Sequence, residues 1–175
     1  MKTSRILLLS MMTLAGTGAV HAFDPAKAPA RTEVAFFEPE NFTDVRDGNL
    51  GTERGRDATL AQLKEYIVSH SRHYLTPGQT LTVTVTNVDL AGEFEPWRGA
   101  MFNDVRIVKD IYAPRIDLAV RLTDADGRIV KEGKRELRDQ AFMMNLSINN
   151  NDPLRFEKHL IDDWLSREFR PVKSS

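Results

Sequence analysis

No cysteine occurs anywhere in the chain. Thiol catalysis, CxxC redox exchange, disulfide stapling and cysteine-bearing zinc sites are therefore excluded, and stability has to come from burial and hydrogen bonding. Charge of one sign is not in excess either. The 24 basic residues stand against 25 acidic ones, a balance that provides no long-range field for nucleic acid or anionic lipid. Long apolar runs are missing apart from Ile6–Leu14, which falls short of the roughly 18–20 residues a bilayer span needs. The sequence also lacks a nucleophile elbow, a Gly-rich phosphate cradle and internal repeats.

What the N-terminus does carry is the pattern of a removable secretory signal. Lys2 and Arg5 precede the apolar run, Gly16-Thr17-Gly18 ends it, and Val20-His21-Ala22 supplies small cleavage residues. Residues 1–22 are read as this signal, with a mature protein that begins near Phe23 and works outside the cytoplasm. A retained N-terminal anchor is the alternative. Without a cysteine at the cleavage site lipid attachment is closed, so a soluble product with no integral membrane segment is expected. The remainder suits one domain of ~100–150 residues: a flexible, Ala- and Pro-containing lead-in over 23–31, then a single globular domain over 32–172.

Within that domain Val34-Ala35-Phe36-Phe37 reads as a strand stopped by Pro39. Leu60, Leu63, Ile67 and Tyr74 recur at helical spacing, so a helix starts at Thr52 or Asp57 and ends before Pro77-Gly78. Leu81, Val83 and Val85 alternate with threonines as in a strand with one buried face, and Val88 and Leu90 on the other parity call for a bulge near Asn87. Residues 91–103 form a long loop, and Val105–Ile111 is either a short edge strand or its continuation. Ile116, Leu118, Val120 and Leu122 mark another strand, turned back by Asp124-Ala125-Asp126-Gly127 into Arg128–Arg138 as a hairpin. Gln140–Asn151 shows no period. A last helix is expected from a cap at Asn151 or Asp152, with Pro153 in its first position, to Phe169-Arg170 before Pro171; Leu154, Ile161, Leu165 and Trp164 are its core side. The order is β-α-β-(β)-β-β-α. It implies an α+β protein, a two-layer α/β sandwich in which a mixed sheet of about four strands carries two helices on one face.

Few residues suggest chemistry. His70 and His73 stand three apart on the first helix, but no third ligand is identifiable, so no metal or other cofactor is assigned. Asp89, Glu93, Asp104 and Asp110 cluster around the long loop, where paired carboxylates could serve as general acid and base if burial moved one of them; salt bridges with Arg106 and Lys109 are the plainer explanation. Trp97 beside Arg98 has the make-up of a recognition spot, against the simpler expectation that its ring folds back over the sheet edge. With Tyr112, these residues form the candidate binding surface. Asp162-Asp163 reads as a solvated helix edge.

Four stretches together resemble the bacterial domain of unknown function 3016 family: PENFTDVR from Pro39, VDLAGE from Val88, DVRIVKDIYAPRI from Asp104 and NDPLRFEKHLIDDW from Asn151. The resemblance implies an exported protein of a Gram-negative bacterium, hence a periplasmic one, and transfers no activity to any residue. The expected function is a non-catalytic binding or assembly module with an envelope protein as partner and no nucleic acid. A metal-independent hydrolase using two of the four carboxylates is the alternative, and an envelope chaperone using Met143-Met144 a third. Oligomeric state is not encoded in any feature of the sequence.

Overall fold

The computed structural model of the chain describes residues 24–144 and 151–169. The expected signal, Phe23, positions 145–150 of the aperiodic stretch and Arg170–Pro171 lie outside the described residues; the last helix stops within them at Glu168, where Phe169 is extended. Strand β1 (Arg31–Phe36) starts one residue before the expected onset of order, where Arg31 N–H donates to Gln79 O at 3.0 Å. Helix α1 covers Glu53–Ser71. Its start is settled at Thr52, whose hydroxyl accepts from Gly55 N–H at 2.9 Å, while Asp47 accepts from the Thr52 amide and hydroxyl. Leu60, Leu63 and Ile67 are its buried stripe, and a 3₁₀ turn over Arg72–Tyr74 follows it.

Strand β2 (Thr80–Asp89) carries the expected bulge between Val85 and Asn87, so that Val85 and Val88 both reach the core. A two-residue strand β3 (Glu93–Phe94), another, β4 (Arg106–Ile107), and the long strands β5 (Arg115–Thr123) and β6 (Ile129–Arg138) complete the strands before helix α2 (Arg155–Glu168). Gly127 takes φ 78° in the β5–β6 turn, where Asp124 accepts from the amides of Asp126 and Arg128. The main sheet has the order β1-β2-β5-β6; β1 and β2 are parallel, joined through α1, and the other pairs are antiparallel.

The core lies between this sheet and the helices. Leu63 and Ile67 of α1 and Ile161 and Leu165 of α2 are buried with Leu81, Val83, Ile116 and Leu118 of the sheet. Trp164 belongs to it as expected, its Nε1 without a hydrogen-bond partner among the described residues. α2 is tied to β6 by Glu168, which accepts from Arg135 at 2.7 Å and pairs with Lys131 at 3.0 Å; the Arg135 bond above all holds its carboxyl down at about 2. By strand alternation the other face of the sheet presents Thr82, Thr84, Ala119, Arg121, Glu132 and Lys134. This is the mixed-sheet, two-layer α+β architecture that the element order implies.

Val105–Ile111, open between a short edge strand and a continuation of the loop, contains the two-residue strand β4, which pairs with β3 in a sheet of its own. At the end of β2 Asp44 takes the side that β1 leaves free: its N–H donates to Val88 O and its carbonyl accepts from Leu90 N–H, both at 3.0 Å. One expectation needs correction. Helix α2 begins two residues late. Asp152 closes a turn onto Leu154 N–H at 2.9 Å and binds Lys158 at 2.6 Å, while Leu154 keeps non-helical angles (φ −104°, ψ 19°) as its side chain enters the core.

Candidate functional site

Between β2 and β5 the chain makes an excursion, residues 90–114, in which all the candidate residues except Asp89 fall. Its base is stitched to distant parts of the fold. Ala91 N–H donates to Glu157 Oε1 of α2 at 2.7 Å, and Gly92 N–H to Tyr112 O at 3.0 Å. Gly92 sits at φ 86°, where a Cβ would come within 2.9 Å of Ile107 O. Phe94 is buried, with the Arg106 guanidinium 4.5 Å and that of Arg46 5.5 Å from its ring centroid.

Two buried carboxylates organise the charges. Asp44, 3 % exposed, accepts from Arg106 Nη1 at 2.8 Å and Nη2 at 3.2 Å and from Arg46 Nε at 3.0 Å; Arg46 reaches on to Glu93 Oε1 at 2.6 Å. Burial alone would raise the Asp44 carboxyl, but the bonds from Arg106 and Arg46 outweigh it and hold it below its ordinary value. Glu95, 1 % exposed, accepts from Arg98 Nε at 2.5 Å, from Tyr112 OH at 2.9 Å and from Lys109 Nζ. The Lys109 bond foremost lowers the Glu95 carboxyl, with Tyr112 and Arg98 adding to it, and Glu95 in turn raises the Tyr112 phenol. Both carboxylates are saturated acceptors with cations on them, a poor arrangement for a general base.

These hubs divide the expected surface into three groups. Glu93, Arg98, Arg106, Lys109 and Tyr112 are consumed by them, and Asp104 is spent separately as an acceptor for Asn49 N–H at 3.3 Å. Trp97 is left at the crest, 71 % exposed, so the expectation that its ring folds back over the sheet edge is overturned. The hydrogen bond from Arg98 to Glu95 and the 3₁₀ turn over Pro96–Arg98 orient the loop outward instead. Met101, 90 % exposed, and the partly exposed Phe102 follow in the next turn, Ala100–Phe102, with the partly exposed Val105 after it.

Asp89 and Asp110 form the third group, on a cleft of about 560 Å³ lined also by Ile111, Ala113, Pro114, Arg115, Arg138 and Gln140. The Asp89 carboxylate accepts no hydrogen bond among the described residues, although Arg115 stands directly opposite in register; the Arg115 guanidinium turns to Asp117 at 2.7 Å. Burial, then the charges of Asp44 and Glu93, push the Asp89 carboxyl above its ordinary value, against Arg106 and Arg115.

Sequence reasoning missed Asp44, Arg46, Glu95 and Glu157. The last is 1 % exposed, with Oε2 unpartnered among the described residues, and burial raises its carboxyl against the backbone bonds from Ala91 and from its own amide and the charges of Arg106 and Arg155. Its signal was present: Glu157 stands three after Leu154 and four before Ile161, inside the apolar stripe. Elsewhere, His70 is a packed side chain stacked 3.7 Å from Tyr66, its Nδ1 2.9 Å from Asp162 Oδ1, while Asp163 takes Arg167 at 2.6 Å. Among the described residues no group of three or more His, Asp or Glu side chains is arranged to hold a metal ion. No described helix is long and apolar enough to cross a membrane.

No curated protein matches the chain. The profile of the family described as "Protein of unknown function (DUF3016)" matches residues 30–167, from the start of β1 almost to the end of α2 and through both carboxylate hubs. The chain belongs to the DUF3016 family.

Proposed function

We propose that the protein is exported to the periplasm and acts there as a non-catalytic binding or assembly module, docking an envelope protein on the crest formed by Trp97, Met101, Phe102 and Val105. The N-terminal charge, apolar run and small residues support export. One observation carries the docking surface: four large apolar side chains stand exposed within nine positions, on a loop held from below by the Glu95 hub. Exposing them costs hydrophobic free energy of about 25 cal/mol per Å², and a rigid aromatic anchor is what a protein partner would use. The test is in-cell crosslinking from a photoreactive residue at position 97 of the exported protein, followed by mass spectrometry. One dominant envelope protein, lost in a Met101→Asp, Phe102→Asp double variant, is expected. Absence of adducts from a domain shown to be folded overturns the reading.

A metal-independent hydrolase is the second reading, favoured by the unbonded, upward-shifted carboxylate of Asp89 in a cleft whose lining also includes Asp110. Asp89 would be the acid and Asp110 the base. Carboxyl NMR titration that returns Asp89 to the ordinary range near 4 removes its support.

A further inference from the structure

The cleft at the end of the main sheet, whose Asp89 and Asp110 the second reading uses as acid and base, also holds Arg138, which neither reading uses. Asp89, Arg115 and Arg138 are successive register partners across β2, β5 and β6. Their neighbours Val88, Ile116 and Leu137 pack into the core, so strand alternation puts the three in one row on the face away from the helices. Arg115 is neutralised by Asp117. At the two ends of the row stand a carboxylate, Asp89, and a guanidinium, Arg138, each with no side-chain partner among the described residues. Asp110 adds a second carboxylate to the lining, and Ile111, Ala113 and Pro114 give it an apolar wall.

A simple anion would meet two carboxylates here, and a simple cation would leave the Arg138 guanidinium unmatched. The complement of such a row is a molecule with opposite charges at its two ends. Two interstrand spacings separate β2 from β6, about 10 Å, and a peptide of two or three residues spans ~7–11 Å when extended. A free α-amino acid is too short to reach both ends. The volume of about 560 Å³ is in the range of small-ligand sites.

We propose that this cleft binds a short peptide by its termini, the ammonium group at Asp89 and the carboxylate at Arg138, with Ile111, Ala113 and Pro114 of the lining against the intervening residue. Guanidinium–carboxylate pairing gives the C-terminal end its geometric preference. The site is separate from the Trp97 crest and does not depend on an envelope partner.

The test is calorimetric titration of the purified protein with triglycine, N-acetyl-triglycine, triglycine amide and glycine. Saturable binding of triglycine is expected, weakened roughly tenfold or more by either cap, since each removes a charge-assisted bond. Arg138→Met should weaken triglycine but not triglycine amide, and Asp89→Asn should weaken triglycine but not the acetylated peptide, with thermal melts confirming that both variants fold. Absence of saturable binding, or equal affinity for the capped and free peptides, overturns the proposal. Glycine binding as tightly as triglycine overturns its peptide length and assigns the cleft to a free amino acid.

Discussion

Leu63, Val83, Ile161 and Leu165 are buried together at the centre of the sandwich, whereas at the base of the excursion two carboxylates, Asp44 and Glu95, are buried beside Leu90, Ala91 and Phe94. The sandwich gains about 25 cal/mol for each Å² of apolar surface removed from water, from side chains that need no particular partner. The excursion gains little net free energy from its ion pairs, because desolvation consumes most of the Coulombic attraction, and it loses heavily when one partner is removed. What its hubs supply is geometry. Asp44 ties residues 44–46 to Arg106, Glu95 ties the turn bearing Trp97 to Lys109 and Tyr112, and together they set the direction of a loop that has little apolar core of its own.

The strongest way to break the comparison is in the sandwich. Ile161→Ala should lower global stability by ~3–4 kcal/mol, read as a shifted midpoint in chemical denaturation, and every probe should move together. Asp44→Asn should cost about 3 kcal/mol, because Arg106 and Arg46 lose the charge they share. Its signature is local: hydrogen exchange should accelerate over residues 92–112 and stay protected at Val83 and Leu118. A variant in which both regions loosen equally would show that the excursion is simply part of the core.

A pH series separates the carboxylates by sign. Asp44 and Glu168 have folded-state values below their ordinary ones, so their contribution is complete above ~4.5 and is lost as pH falls toward the folded values, about 2 for Glu168. Glu157 is displaced upward by burial, so the fold favours its protonated form and its contribution declines as pH rises above ~4.5. Glu157→Gln should therefore match the parent near pH 4 and be more stable near pH 7, the gap opening between them; a gap of the opposite sign would show that the ionised form is stabilised after all. The smallest effect expected is that of Trp97→Ala, within ~0.5 kcal/mol for an exposed side chain, while crosslinking to a partner at neighbouring positions is lost.

The same division explains what could be read before the coordinates. Strands β2 and β5 announce themselves through period-two alternation, and even the bulge after Val85 follows from the parity slip at Val88, because burial of one sheet face is a local, repeating constraint. A salt-bridge hub has no period. Asp44 and Arg106 lie 62 positions apart, and nothing in either neighbourhood shows that a carboxylate is enclosed there, so the excursion could be recognised as a long loop but its internal order could not. Trp97 was misjudged for a related reason. The usual argument that a large aromatic covers an edge assumes an apolar surface to cover, and here the ground beneath the loop is occupied by charge. Glu157 was the exception among the missed residues, since an acid inside an apolar stripe is visible in the spacing itself.

The chain has two tryptophans, and they report on the two regions separately. Trp164 is enclosed in hydrocarbon with an indole N–H that bonds to no described group, so it should emit at short wavelength and resist quenching by iodide or acrylamide. Trp97 stands in water at the crest and should emit at long wavelength and be quenched readily. A Trp97→Phe variant leaves a fluorophore that sees only the sandwich, and a Trp164→Phe variant one that sees only the excursion. Each region can then be followed by colour in a single cuvette, through unfolding, acidification or the arrival of a partner.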